Sequence, residues 1–281
     1  MLKVTYFGTT TLLFDDGKDQ ILFDAHITRP SLGKYIAGAK ASTNRTICDE
    51  IISLHHIDRL RAVFISHTHH DHVMDAPYIV QKCGAKMYGS ESAKNVALGG
   101  NVTPENITVF KHGDIFEIGD YKIRILNSLH SKPTILNNDL GEPIKEHLTQ
   151  PAGLRDYKEG GSYDFYIEYK EKKILIRPSF NYIEGQLDDI RADVLFLGVA
   201  ALAKAEPDME KTFFKETVEK SGAKLVIPIH WDNFFSPLDC PIEGMPHIIE
   251  NTGVVFYKVA KYCELHDVNF LVQYPRTSIE I

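Results

Sequence analysis

The sequence predicts an α/β fold in a single domain spanning residues 1–281. Two observations lead there. Short β-rich runs crowd the first quarter of the chain and alternate with helical stretches afterwards, and no Pro/Gly/Ser-rich linker divides the chain. In order, "KVTYFG", "TLLFDD" and "QILFDA" read as strands separated by turn chemistry that includes Asp16-Gly17. A polar loop with Gly33 and Gly38 follows. "CDEIISLHHIDRL" reads as a helix with Thr46 as its N-cap and Ile51, Leu54, Ile57 and Leu60 at helical spacing. "AVFISH" is a buried strand, and "DAPYIVQKCG" a helix with Pro77 in its first turn and Gly84 past its end. The later strands are "KMYGS", "ITVF", "YKIRILNSLH", "YDFYIEYK", "KILIRPS", "DVLFLGV" and "KLVIPIH". "PDMEKTFFKETVEKSG" and the segment around "FYKVAKYCELH" are helical, and the chain closes on a strand-like "NFLVQY". The whole reads as two roughly similar halves.

One stretch breaks this rhythm. Ser131 to Ser162 holds Pro133, Pro143 and Pro151 and has no strong periodicity. Irregular segments beyond about 12–15 residues are uncommon in compact domains and are usually functional. A lid inserted at 131–162 is therefore expected.

Composition excludes several classes. The longest apolar run, "VLFLGVAALA" from Val194, is about half of what a bilayer requires. The N-terminus carries no signal-peptide pattern, so cytoplasm is the expected location. Net charge is −7, against a nucleic-acid partner. Cys48, Cys83, Cys240 and Cys263 form no CxxC pair, against a thiolate metal site. The charge is uneven, however: Arg29, Lys34, Lys40 and Arg45 lie between Ala25 and Cys48 with no acidic residue among them.

The chemistry concentrates in "HTHHDH", His67 to His72. In extended chain His67 and His69 share a face, whereas the adjacent Asp71 and His72 do not. The cluster must then lie on a loop leaving a strand, offering two ligands to one ion and two to another, with His70 turned elsewhere. A catalytic zinc normally takes three protein ligands plus water. His130 and His230, each ending a strand-like run ("KIRILNSLH", "KLVIPIH"), answer that need.

On these residues the chain resembles the metallo-β-lactamase superfamily, and within it the UlaG-like, L-ascorbate-6-phosphate-lactonase-like branch. "ILFDA", "HTHHDH", "NSLHS", "KKILIRPS", "RADVLFLG" and "VIPIHWDNF" carry the resemblance over essentially the whole chain. It implies a four-layer αββα sandwich (metallo-β-lactamase fold) and a metal-dependent hydrolase. His67, His69 and His130 would hold one ion, and Asp71, His72 and His230 a second. Asp71 would also orient the nucleophile and move a proton, and Asp24 would brace the ligand loop. Where two-metal members carry a bridging aspartate, this chain has Ser179, a poorer ligand than a carboxylate. One or two divalent ions are expected, zinc first, with manganese or iron as alternatives.

The expected reaction is metal-assisted hydrolysis of a small anionic ester, lactone or amide by metal-delivered hydroxide. A phosphodiesterase using the same site and a catalytically silent metal-binding or sensing module are the alternatives. Arg29, Lys34 and Lys40 on the basic loop, and His147 in the lid, are candidate substrate contacts. Asp232 is a candidate brace for His230. A homo-oligomer is compatible with the sequence; a membrane partner is not expected.

Overall fold

Side-chain alternation along the early strands divides them between two apolar cores, and that division sets the layers. The computed structural model describes residues 1–133 and 138–281. β1 (Lys3–Tyr6), β2 (Leu12–Asp15) and β3 (Gln20–Phe23) form an antiparallel meander. A short helix α1 (Leu32–Ile36), β4 (Lys40–Ala41) and α2 (Arg45–Leu54) lead to β5 (Leu60–Phe64). After a single turn α3 (His70–Val73) come α4 (Ala76–Cys83), β6 (Lys86–Gly89), α5 (Glu91–Gly99) and β7 (Ile107–Val109). β5, β6 and β7 continue the sheet in parallel from β3.

The second half repeats the plan. β8 (Ile115–Ile118) and β9 (Tyr121–Ser128) precede β10 (Ala152–Gly153), which pairs with β4. β11 (Ser162–Tyr169) joins β9 to β12 (Lys172–Arg177), and β13 (Val194–Gly198) lies parallel to β12. α6 (Pro207–Phe214), β14 (Leu225–Ile229), α7 (Thr252–Leu265) and β15 (Asn269–Phe270) complete this half. β16 (Thr277–Glu280) crosses back to pair with β1. The sheets are ordered β16-β1-β2-β3-β5-β6-β7 and β15-β14-β13-β12-β11-β9-β8.

Phe14, Phe23 and Phe64 of the first sheet meet Phe165 and Phe196 of the second, with Phe23 and Phe165 ring centres 5.1 Å apart. The opposite-facing Leu13, Leu22 and Val63 pack instead against Ile51 of α2, Ile79 of α4 and Val96 of α5. Phe213 and Val259 bring α6 and α7 onto the far side of the second sheet. β13 is buried throughout because both its faces are covered, which explains its unbroken apolar sequence. The result is the four-layer αββα sandwich. Among the described residues no helix is long and apolar enough to cross a membrane.

Several local expectations fail for identifiable reasons. α2 is capped by Asn44, whose side chain accepts from the Ile47 amide, rather than by Thr46. It also stops at Leu54: His56 takes a left-handed φ of +51°, and Leu60 belongs to the next strand. α5 was hidden in a run without strong periodicity and starts at a Ser90 cap. The terminal strand is not "NFLVQY" but the polar "TSIE" of β16, whose edge position needs little apolar content.

Candidate metal centre

Strand ends converge on one rim. Asp24 follows β3, the HTHHDH loop follows β5, His130 follows β9, Ser179 follows β12 and His230 follows β14. Open α/β sheets collect ligands beyond their strand ends in this way. Within the loop, His69 is extended (φ −62°, ψ 152°) and caps α3, so His67 and His69 leave on extended chain while Asp71 and His72 ride the helical turn. Asp24 and His230 both adopt left-handed backbone, φ +53° and +61°. Non-glycine residues pay strain there, so each must be held in place. The Asp24 amide bonds the Phe64 carbonyl at 2.8 Å, and the His230 amide bonds that of Thr9 at 2.5 Å.

Two ligand groups result. One nitrogen each from His67, His69 and His130 cluster with all three within 4.8 Å of one another; Asp71, His72 and His230 do the same. The groups adjoin, since the His67 and His72 ring centres are 3.7 Å apart. Nε2 of His67 and Nε2 of His72 are buried without any hydrogen-bond partner. Buried polar atoms are ordinarily satisfied, and imidazole lone pairs left this way suit a divalent cation. Protonation agrees. Burial, reinforced by neighbouring imidazoles, pushes His67 well below its ordinary range and His130 down to about 3, so both rings are neutral. Burial pushes Asp71 upward, but His72, His230 and His70 outweigh it and hold the carboxyl well below the ordinary range. Neutral imidazoles beside an ionised carboxylate are the donor set a metal needs.

The rings are aimed by a buried network. Asp24 Oδ2 accepts from His72 Nδ1 at 2.8 Å, from Thr10 Oγ1 at 2.6 Å and from Ser66 Oγ at 2.7 Å. A carboxylate only accepts, so His72 carries its proton on Nδ1 and its lone pair on Nε2. Ser66, its own proton given to Asp24, stands 3.2 Å from His67 Nδ1 and accepts from it, leaving that lone pair on Nε2 as well. One carboxylate thus orients a ligand in each group. Such partners set imidazole tautomer and basicity, and losing one typically costs 10–100-fold in metal affinity. Asp24→Asn is accordingly expected to weaken zinc binding about tenfold to a hundredfold, read by competition against a chromophoric chelator. Unchanged affinity would remove Asp24 from this role.

The remaining candidates are distributed differently. Ser179 is buried on the wall of the cavity above the ligands. Asp232 reaches His230 only indirectly: its Oδ1 accepts from Tyr6 Oη (2.8 Å) and the Thr9 amide (2.7 Å), and those two residues hold the His230 amide. Arg29 is a correction. Instead of facing substrate, its side chain is buried, ion-pairs with Asp232 Oδ2 at 2.9 Å and donates to the Phe7 carbonyl. Gly8 makes room for it; a Cβ there would lie 1.9 Å from the guanidinium, at a φ of +91° besides. Lys34 and Lys40 are exposed and absent from the cavity wall, where their neighbour Tyr35 is present instead. His147 is also exposed and off the wall, because the chain beside it packs on α5 through Leu148 and Asn95.

Of the expected lid, residues 134–137 lie outside the described residues. Its later part lines the cavity with Asp139, Leu154, Arg155, Tyr157 and Lys158. Asp139 was not singled out from the sequence: its Oδ1 accepts from His69 Nε2 at 3.0 Å, placing that ring's lone pair on Nδ1 when neutral. Nothing in an aperiodic loop marks such a residue. Asn181, whose side chain donates to the His130 carbonyl at 2.7 Å, was equally hidden. Ser66 at least sits beside His67 in the sequence.

A family model described as a beta-lactamase superfamily domain matches residues 19–231. A curated metal-dependent hydrolase from Christiangramia forsetii is 26% identical over 132 residues, covering 46% of this chain and 49% of that one. This chain therefore spans about half the length of that relative. Among solved structures, a metallo hydrolase from Ignicoccus hospitalis superposes with a TM-score of 0.58 at 16% identity, covering 100% and 99% of the two chains. A protein from Veillonella parvula, described as a possible metal-dependent hydrolase, reaches 0.63 at 15% identity with 100% of both chains covered. At such identities these likenesses carry the fold.

Proposed function

The chain belongs to the beta-lactamase superfamily, and on that premise we propose that it is a metal-dependent hydrolase of esters, lactones or amides. The carrying observation is the adjoining pair of ligand groups on one cavity, with His67 and His130 neutral and Asp71 ionised. In this reading His67, His69 and His130 hold one ion, and Asp71, His72 and His230 a second. A divalent ion bound there would acidify water to a pKa of about 7 and polarise the scissile bond. Asp71 would orient that water and accept its proton. Asp24, Ser66 and Asp139 keep the imidazoles in register. Zinc suits the all-His/Asp donor set, with manganese and iron as the other candidates.

Ser179 bears on the second ion. Without a carboxylate at that position, two +2 ions would have no bridging charge between them there, and the second group would bind its ion the more weakly. Ser179→Asp is expected to tighten the second ion at least tenfold while the first changes little, measured by zinc titration with elemental analysis. Equal affinities before and after would count against this assignment. An anionic substrate group would offset the same charge. On the cavity wall Lys132, Arg155 and Lys204 replace the loop residues first considered for that role. Arg155 extends over the Tyr35 ring, 5.4 Å from its centre.

The deciding experiment pairs metal analysis with a panel of esters, lactones, amides and phosphodiesters, neutral and anionic. Turnover of carbon esters that stops on chelation and returns with zinc is the expected result. Metal binding with no turnover anywhere would instead support a sensing module, and turnover confined to phosphodiesters would reassign the reaction.

A further inference from the structure

The cavity is larger and more apolar than hydrolysis of a small polar ester requires. It encloses about 830 Å³, toward the upper end of the ~300–1,000 Å³ of pockets that take drug-sized ligands. His69, Asp71, His130 and His230 form part of its wall, yet much of the rest is hydrocarbon. Beside the ligands, Phe234 stands edge-on to His230 at 5.2 Å and against Phe235 at 4.4 Å. The cavity wall also carries Phe180, Met209, Met245 and Ile249.

That apolar wall is a built one. The 245–250 segment is fastened to the turn before α6: Glu250 accepts from the Ala201 and Ala203 amides at 2.5 and 2.8 Å, and Lys204 Nζ donates to the Ile248 carbonyl at 2.8 Å. Ala201 holds a left-handed φ of +81° in this arrangement, a conformation that alanine adopts only when its surroundings impose it. Fastened this way, Ile248 stands at the cavity rim 86% exposed. A lone exposed isoleucine needs no explanation. One that continues an apolar wall outward from a catalytic cavity does.

We propose that the substrate is an amphiphile: a hydrolysable carbonyl group bearing a medium-length hydrocarbon chain, which lies along Phe180, Met209, Met245 and Ile249 toward Ile248. This rests on the hydrolase reading for its carbonyl end only; the chain-binding wall stands on its own residues. Phe234 and Phe235 cover the reacting end and exclude water from it. The flexible thioethers of Met209 and Met245 suit a chain that is not rigid.

The test is a binding series on zinc-loaded protein, using straight-chain carboxylates from butanoate to decanoate, the acids that hydrolysis of such substrates would release. Calorimetry should find affinity rising about fourfold per methylene to at least octanoate, the scale expected for burying each CH₂. Met209→Ser should flatten that slope and Met209→Leu should keep it, a comparison that separates loss of the wall from loss of the fold. Equal affinity across the series, or an unchanged slope in Met209→Ser, would overturn the proposal. Because the readout is binding, it answers independently of turnover: a steep slope without turnover of any ester, lactone or amide sinks the hydrolase reading and leaves the chain site standing, and a flat slope with hydrolysis does the reverse.

Discussion

Asp71→Asn is expected to lower kcat/KM by on the order of a thousandfold, in the middle of the range for losing a positioned acid–base group. The change keeps the side chain's size and removes its charge. Asp71 Oδ2 stands 3.5 Å from His230 Nε2 and 3.7 Å from His72 Nε2, so it is a member of the second ligand group and, in the proposed reaction, would also serve as the base. An amide can neither take the proton nor offset a second cation. Elemental analysis should then find one ion per chain, held by His67, His69 and His130, with the fold intact by circular dichroism. Activity within tenfold of the parent, or loss of both ions, would show that Asp71 does something other than this.

The second large effect is on stability. Arg29→Met is expected to cost roughly 3–5 kcal/mol, the usual consequence of removing one member of a buried ion pair. The side chains of Arg29 and Asp232 are 4% and 2% exposed, so water cannot compensate the carboxylate left behind. The pair also supports the reactive rim, since Asp232 fastens Tyr6 and Thr9, the residues that hold the His230 backbone. Urea unfolding measures the cost directly. Arg29→Met/Asp232→Asn should recover part of it, because no unpaired charge remains. Had Arg29 been a substrate contact, the variant would raise KM at unchanged stability; that outcome would reverse the assignment made from the geometry.

Much of this protein is legible in its linear pattern. Apolar runs of four to eight residues announce buried strands whichever partner they find, so most of both sheets can be read from β1 to β14. The HTHHDH motif and two strand-terminal histidines name the six residues that the fold gathers into two groups. A strand ending in a ligand is a local feature: the chain's direction and the strand's length already bring the side chain to the sheet rim. Asp24 is readable through the family resemblance carried by "ILFDA".

What tertiary structure alone decided are the partnerships between distant segments. Arg29 lies in a basic loop by sequence and looks like a contact for anions, but it meets Asp232, 203 residues later, beneath a turn that only Gly8 can open. Asp139 finds His69 from an aperiodic loop. The polar β16 becomes a strand only because β1 presents an open edge to it. The apolar wall of the cavity is assembled from segments around 180, 209 and 245–249, and nothing local to any of them marks it as cavity lining. Periodicity records how a segment meets its own neighbours. A charge's partner, an edge strand's register and a cavity's lining depend on which remote surfaces the packed sheets bring within a few ångströms, and no local pattern encodes that.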